Sequence, residues 1–359
     1  MQGEYAMLRD IINAVLGVII GVILGDPLKE AWGKFVKYMK RLLAKPKTIK
    51  DPSYFTIGNE TTSFIVCDGD GVMTYSPENI ETRVNNHAVE LPSDLKILRR
   101  EIEKTEDAKK QRGESYSWNG PLLSLEKYSI LRTKVNEDMK VIFSFVPSDY
   151  YTFKALNMNL DKQLPSGYTI REKYLAGNTV RQPIPALANG VGVAITVITS
   201  DNYVILTKRS PESGVRPNEL DISVVEAIHP SHDRKAVGQG PDLFNTAVRG
   251  AEEELGVVIP RENIKFLGFG VDEQYYQWNI IGIAHCKEKA EEIMKQRSRG
   301  IPGKWEMEQI LFIPFKIRDV LYTIKNEKMW STAKVALYWS LVFEYTKRGV
   351  DKEAERLFK

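Results

Sequence analysis

Ile11–Gly25 reads IINAVLGVIIGVILG, a nearly unbroken apolar run in which Asn13 is the one strongly polar side chain. Fifteen helical residues rise ~22 Å against a hydrocarbon core of ~30 Å. Ala6–Leu8 and a snorkelling Arg9 supply further turns, so a membrane-spanning helix is predicted within residues 1–25. Asp26-Pro27 then opens a second helix, predicted within 26–50, with Leu28, Trp32, Phe35, Met39 and Leu42 along one face and lysines along the other. Such a basic amphipathic helix suits a lipid headgroup layer.

From 51 to 185 the apolar runs are short. Ser63–Val66, Val141–Val146 and Tyr150–Phe153 are separated by turn signals at Asp68–Gly71, Asn119–Pro121 and Pro165–Gly167, and Leu95–Lys110 is charged and helix-prone. These features predict a β-rich mixed domain. After Gly190 the pattern sharpens. Val191–Ile198 and Tyr203–Thr207 read as strands around an Asp201-Asn202 turn, Leu243–Leu255 as a helix closed by Gly256, and Ile264–His285 as a strand-rich stretch. This section, 186–318, precedes a helical extension over 319–359. There Trp330, Val335, Leu337, Tyr338, Leu341, Val342 and Tyr345 recur at helical spacing between a Ser331 cap and Gly349, as a packing helix with a core or dimer-interface stripe.

Charge changes this picture in two ways. The cations Lys29, Lys34, Lys37, Lys40, Arg41, Lys45, Lys47 and Lys50 follow the apolar run while only Arg9 precedes it, so the N-terminus is expected outside and the rest in the cytoplasm, as a single-pass membrane protein. Over the whole chain 50 basic residues face 47 acidic ones, a balance that excludes a general nucleic-acid binder. Gly17, Gly21 and Gly25 fall four apart on one helix face and make a homodimer contact within the membrane a candidate. Only Cys67 and Cys286 are present, which excludes a disulfide framework and a CxxC-type zinc site and fits a reducing compartment.

Chemistry concentrates in the helix before Gly256. Arg249, Glu252, Glu253 and Glu254 share it, and adjacent carboxylates repel unless cations compensate. Arg249 stands one turn before Glu253, and the remaining charge suits a hard cation. The segment Arg249–Val257, RGAEEELGV, resembles the end of the Nudix box, R-E-U-x-E-E-x-G-U with U apolar, at Arg249, Ala251, Glu253, Glu254, Gly256 and Val257. The preceding hairpin ending in Lys208-Arg209-Ser210 and the following strands match that family's order of elements, so the resemblance covers about Gly190–Phe315. It implies an α/β fold: a C-terminal Nudix α/β/α sandwich, after the β-rich mixed domain and the transmembrane helix.

The resemblance also implies hydrolysis of a nucleoside diphosphate linked to another moiety, with Mg²⁺ or Mn²⁺ activating water and neutralising the pyrophosphate. Glu253 and Glu254 become metal ligands, Arg249 their orienter, and Lys208, Arg209 and His229 candidates for substrate binding. Two positions depart from the pattern. Gly250 stands where the family has glutamate, and an insertion of about eight residues lengthens the start of the box, placing Ala227 at the box glycine. Glu226 then becomes the replacement metal ligand. Glu273, Glu306 and Glu308 are candidates for a base outside the box. His229, His232 and Asp233 lie in the inserted loop, where such residues make local hydrogen bonds, contact substrate, bind metal or shuttle protons. The alternative is a catalytically inactive Nudix-fold nucleotide sensor or binding module at the membrane.

Two other motifs lead elsewhere. Phe64–Met73, FIVCDGDGVM, is similar to the first motif of haloacid-dehalogenase phosphatases, but the alternating strands and helices of that family do not follow it, and its Asp-Gly pairs read as a hairpin turn. Asn59-Glu60-Thr61 is a glycosylation sequon that a cytoplasmic domain would not present to the glycosylating enzyme.

Overall fold

A computed structural model describes residues 53–359 except 88, 133–138, 177–179, 212, 214–215, 234–239 and 299–306. The membrane helix predicted within 1–25, with Gly17, Gly21 and Gly25, and the basic helix predicted within 26–50 lie outside the described residues. Among the described residues no helix is long and apolar enough to cross a membrane.

β1 (Tyr54–Ile57) and β2 (Glu60–Gly69) form an antiparallel hairpin. The Asp-Gly segment then ends β2: the Asp70 carboxylate accepts the amides of Val72 (2.8 Å) and Met73 (3.0 Å), and Gly69 and Gly71 take φ of 101° and 80°. The expected second arm of a hairpin does not follow. β3 (Ile80–Val84) instead joins β4 (Pro121–Arg132) and β5 (Met139–Asp149) in a three-stranded sheet. α1 (Ser93–Gln111) matches the helix-prone charged stretch. Tyr150–Phe153, grouped by sequence with the strand-like runs, is helical within α2 (Tyr150–Leu156), because Asp149 caps it by accepting the Thr152 amide at 2.8 Å.

β6 (Val191–Ile198) is buried at every position. β7 (Tyr203–Arg209), β8 (Leu220–Ile222) and β9 (Val224–Ala227) follow, then α3 (Leu243–Gly250), which continues as a π-helical turn over Ala251–Leu255. Gly256, at φ 73°, closes it as a left-handed cap. β10 (Ile264–Asp272), β11 (Gln277–His285), α4 (Ala290–Ser298) and β12 (Met307–Pro314) precede three C-terminal helices: α5 (Ile317–Asn326), α6 (Ser331–Glu344) and α7 (Lys347–Leu357).

The large sheet has nine strands, in the order β1-β2-β10-β11-β6-β7-β12 with β8 on β7 and β9 on β6. β6 and β7 are directly paired only at Ile198 with Val204, and β8 and β9 line the two strands beyond that point. Both faces are covered, which is why β6 lacks a polar face. Val193, Ile195 and Val197 pack in one core with Leu243, Phe244 and Ala247 of α3 and with residues of the smaller sheet. Ala194 and Ile198 face a second core built by α5, α6 and α7, with Trp339 and Leu341 fully buried.

The expected separation of a 51–185 domain from the following section does not coincide with a structural division. Ser53–Lys359 is one compact unit, in which β2 pairs with β10 from Phe64–Asp272 to Gly69–Gly268. The packing helix expected between Ser331 and Gly349 also differs in detail. Its Ser331 is the first helical residue and bonds Ser63, Trp330 takes the cap position, and Gly349 lies inside α7. Its aromatic stripe belongs largely to the core.

Candidate functional site

Asp242 starts α3 by accepting the Phe244 amide at 3.0 Å and pairs with Arg261. Leu243, Phe244, Ala247, Ala251 and Leu255 are buried, so Arg249 and Glu253 fall one turn apart on a less buried face, as their spacing requires.

Arg249 is the centre of the site. Its Nε and Nη2 donate to the two carboxylate oxygens of Asp233 at 3.0 and 2.9 Å, and Nη2 also donates to the Ala227 carbonyl at 2.9 Å. Nη1 reaches Glu226 at 3.0 Å and Glu253 at 3.3 Å. Asp233 is fully buried and also accepts the His229 amide at 2.7 Å. Desolvation works against the charge on Arg249, but Asp233 and Glu226 outweigh it and raise its pKa. For Glu226 the balance is reversed. Burial pushes its carboxyl up to about 7 despite the opposing Arg249, with Glu253 and Asp233 adding to the rise.

Gly250 explains how Glu226 comes to be there. A Cβ at position 250 would stand 2.6 Å from Val224 Cγ1 and 2.8 Å from Glu226 Cβ. The helix lies this close to β9 only because position 250 carries no side chain, and the Glu226 side chain uses the space. The glycine and the strand carboxylate are therefore one packing feature.

Glu254 is turned toward the same strand, where its Oε1 accepts the Val225 amide at 3.3 Å, while its own carbonyl accepts Arg297 Nη1 at 2.5 Å. Glu252 is exposed. His229 Nδ1 accepts the amides of Ser231 and His232, both at 3.2 Å, and its ring stacks on His232 with centroids 3.9 Å apart. Burial, followed by the neighbouring His232 and Arg249, lowers its pKa, so it is a neutral imidazole near pH 7.

The other candidates are distributed. Lys208 and Arg209 end β7, and Arg209 Nη2 donates to Ser213 at 2.7 Å. Glu273 follows β10 and accepts the Tyr54 hydroxyl. Glu306 lies outside the described residues, and Glu308 is placed on β12 by its backbone alone. The structure thus unites Arg249, Glu226 and Glu253, adds Glu254 on the strand side, and brings in Asp233 as the partner of Arg249. Sequence grouped Asp233 with the two histidines instead; the contact that reveals its role crosses the inserted loop. Among the described residues no group of three His, Cys, Asp or Glu side chains is gathered to hold a metal ion. Glu226 and Glu253 converge on the Arg249 guanidinium, which supplies the positive charge that a hard cation would otherwise supply between them.

No protein-family model and no curated protein matches the chain. Solved structures similar to it include a protein of Deinococcus radiodurans (16% identity, 42% of this chain and 80% of that one, TM-score 0.30). A MutT/nudix family protein of Enterococcus faecalis is similar at 14% identity, over 43% of this chain and 62% of that one, with TM-score 0.30. A Nudix hydrolase of Alicyclobacillus acidocaldarius is similar at 13% identity, over 41% and 89%, with TM-score 0.32. Likenesses at such low TM-scores establish no family membership.

Proposed function

We propose that this chain is a divergent Nudix-type hydrolase acting on a nucleoside diphosphate linked to another moiety, held at a membrane by its N-terminal helix. The observation that carries the reading is the Glu226 side chain, whose Cβ and Cγ pack in the space left by Gly250 and whose carboxylate meets the Arg249 nitrogen that also meets Glu253. It supports the view that the glutamate absent from the helix is replaced by one from the strand. Glu226, Glu253 and Glu254 would hold Mg²⁺ or Mn²⁺, which when bound neutralises pyrophosphate oxygens and makes water a better nucleophile. Arg249 orients Glu226 and Glu253. Lys208 and Arg209 would bind phosphate oxygens and His229 would contact the substrate as a neutral imidazole. Glu273, Glu306 and Glu308 stay candidates for a base.

At the membrane, the N-terminus would lie outside and the compact unit Ser53–Lys359 would be cytoplasmic, with the basic segment in contact with lipid headgroups. Gly17, Gly21 and Gly25 pair two copies.

The test is incubation of the full chain with nucleoside diphosphate sugars, dinucleotides and nucleoside triphosphates, with and without Mg²⁺. Metal-dependent turnover that disappears in Glu254→Gln supports the enzyme. A second reading, a non-catalytic nucleotide-binding module, is favoured by one specific feature: Arg249 already compensates Glu226, Glu253 and Asp233. Binding without turnover, unchanged in Glu254→Gln, would select it.

A further inference from the structure

The inserted loop before α3 brings a charged side chain into the interior. Asp233 is fully buried, and both of its carboxylate oxygens are used: one accepts Arg249 Nε, the other accepts Arg249 Nη2 and the His229 amide. Its backbone is tied down as well, since its amide donates to the His229 carbonyl at 3.3 Å and its carbonyl accepts the Asp242 amide at 2.5 Å. Pro241 and Gly240 continue this anchoring to β3, through Thr82 Oγ1 to the Pro241 carbonyl (2.6 Å) and the Gly240 amide to the Thr82 carbonyl (3.0 Å).

We infer that Asp233 is a positioning residue: it grips Arg249 by two of its three nitrogens so that the third holds Glu226 in the space Gly250 leaves open. A two-point grip on a planar guanidinium fixes both its direction and its plane, whereas a single contact leaves rotation free. Nη1 then has one orientation, toward Glu226 at 3.0 Å and Glu253 at 3.3 Å. The inserted loop carries the support, and the strand carries the carboxylate that position 250 does not.

The effect on catalysis rests on the hydrolase reading; the grip itself does not. The experiment uses the full chain, with the substrate of the nucleotide panel that turns over best, and compares Asp233→Asn, Arg249→Lys and the double variant. Asp233→Asn keeps the shape and removes the charge, and kcat is expected to fall about 10- to 100-fold, the usual effect of losing a supporting partner, with KM little changed. In the Arg249→Lys background, which has no planar fork, Asp233→Asn is expected to add almost nothing. In parallel, ¹⁵N-arginine spectra are expected to show an exchange-protected Arg249 Nε–H in the wild type that loses protection in Asp233→Asn. An unchanged Arg249 signal, an undiminished kcat, or additive effects of the two substitutions would overturn the inference. If the wild-type chain turns over no compound, the hydrolase reading fails while the Arg249 signal still decides the grip.

Discussion

Replacing Glu226 by glutamine should make the chain more stable at alkaline pH, although it removes an ion pair. Burial outweighs Arg249 at this position, so the carboxyl ionises less readily in the folded chain than in the unfolded one, at about 7 rather than 4.5. A group whose pKa is raised by folding binds more protons in the native state across that interval, and its contribution declines as pH rises through it. The full interval corresponds to ~3 kcal/mol of native stability lost by pH 8 relative to a neutral side chain of the same shape. Glutamine is such a side chain. Its amide oxygen still accepts from Arg249 Nη1, and the repulsion from Glu253 and Asp233 disappears. Urea unfolding of wild type and Glu226→Gln at intervals from pH 4 to pH 8 measures the difference directly. The variant is expected to gain from about pH 4.5 upward and to level off above about 7, ahead by ~3 kcal/mol. A difference that does not vary with pH would mean that Arg249 cancels the effect of burial, and a variant that loses ground as pH rises to 8 would mean that Arg249 favours the anion more than burial opposes it; either result would refute the reasoning.

Gly250→Ala should lower stability by ~1–3 kcal/mol in urea unfolding, despite the better helix propensity of alanine, because the new methyl group meets Val224 and Glu226. A neutral or stabilising result would contradict the close approach of α3 to β9. Arg249→Ala strands the buried Asp233 and should destabilise by ~3–5 kcal/mol, with most of the loss absent in Arg249→Ala/Asp233→Asn. Burial raises the thiols of Cys67 and Cys286 to about 11, so mass spectrometry should find both slow to alkylate at neutral pH until urea unfolds the chain. The full chain should pellet with membranes and resist alkaline extraction, and a freely soluble full-length protein would refute the predicted span.

Much of the local structure could be read from the sequence because the signals were themselves local. Gly256 marks the end of the helix that carries Arg249, and its left-handed cap geometry is intrinsic to glycine. Arg249 and Glu253 meet because helical spacing brings them together. What could not be read depended on contacts between segments far apart in the chain. Nothing in the run Ser63–Val66 indicates that it pairs with the end of β10, so the compact unit crosses the expected boundary at 185. Tyr150–Phe153 has strand-like composition, and Asp149 overrides it with a cap. In the site, Gly250 read only as a departure from the family's glutamate, whereas the nearness of β9 accounts for it. Asp233 read as a companion of two histidines, whereas its carboxylate lies under Arg249.

A crystal of the full chain soaked in manganese and measured at its absorption edge would locate bound ions without knowledge of the substrate. An anomalous peak within coordination distance of Glu226, Glu253 and Glu254, weakened in Glu226→Gln, is the result expected if the strand carboxylate completes the set. A fully occupied crystal lattice of manganese sites elsewhere, with no peak there and Arg249 still joined to Glu226 and Glu253, would contradict it.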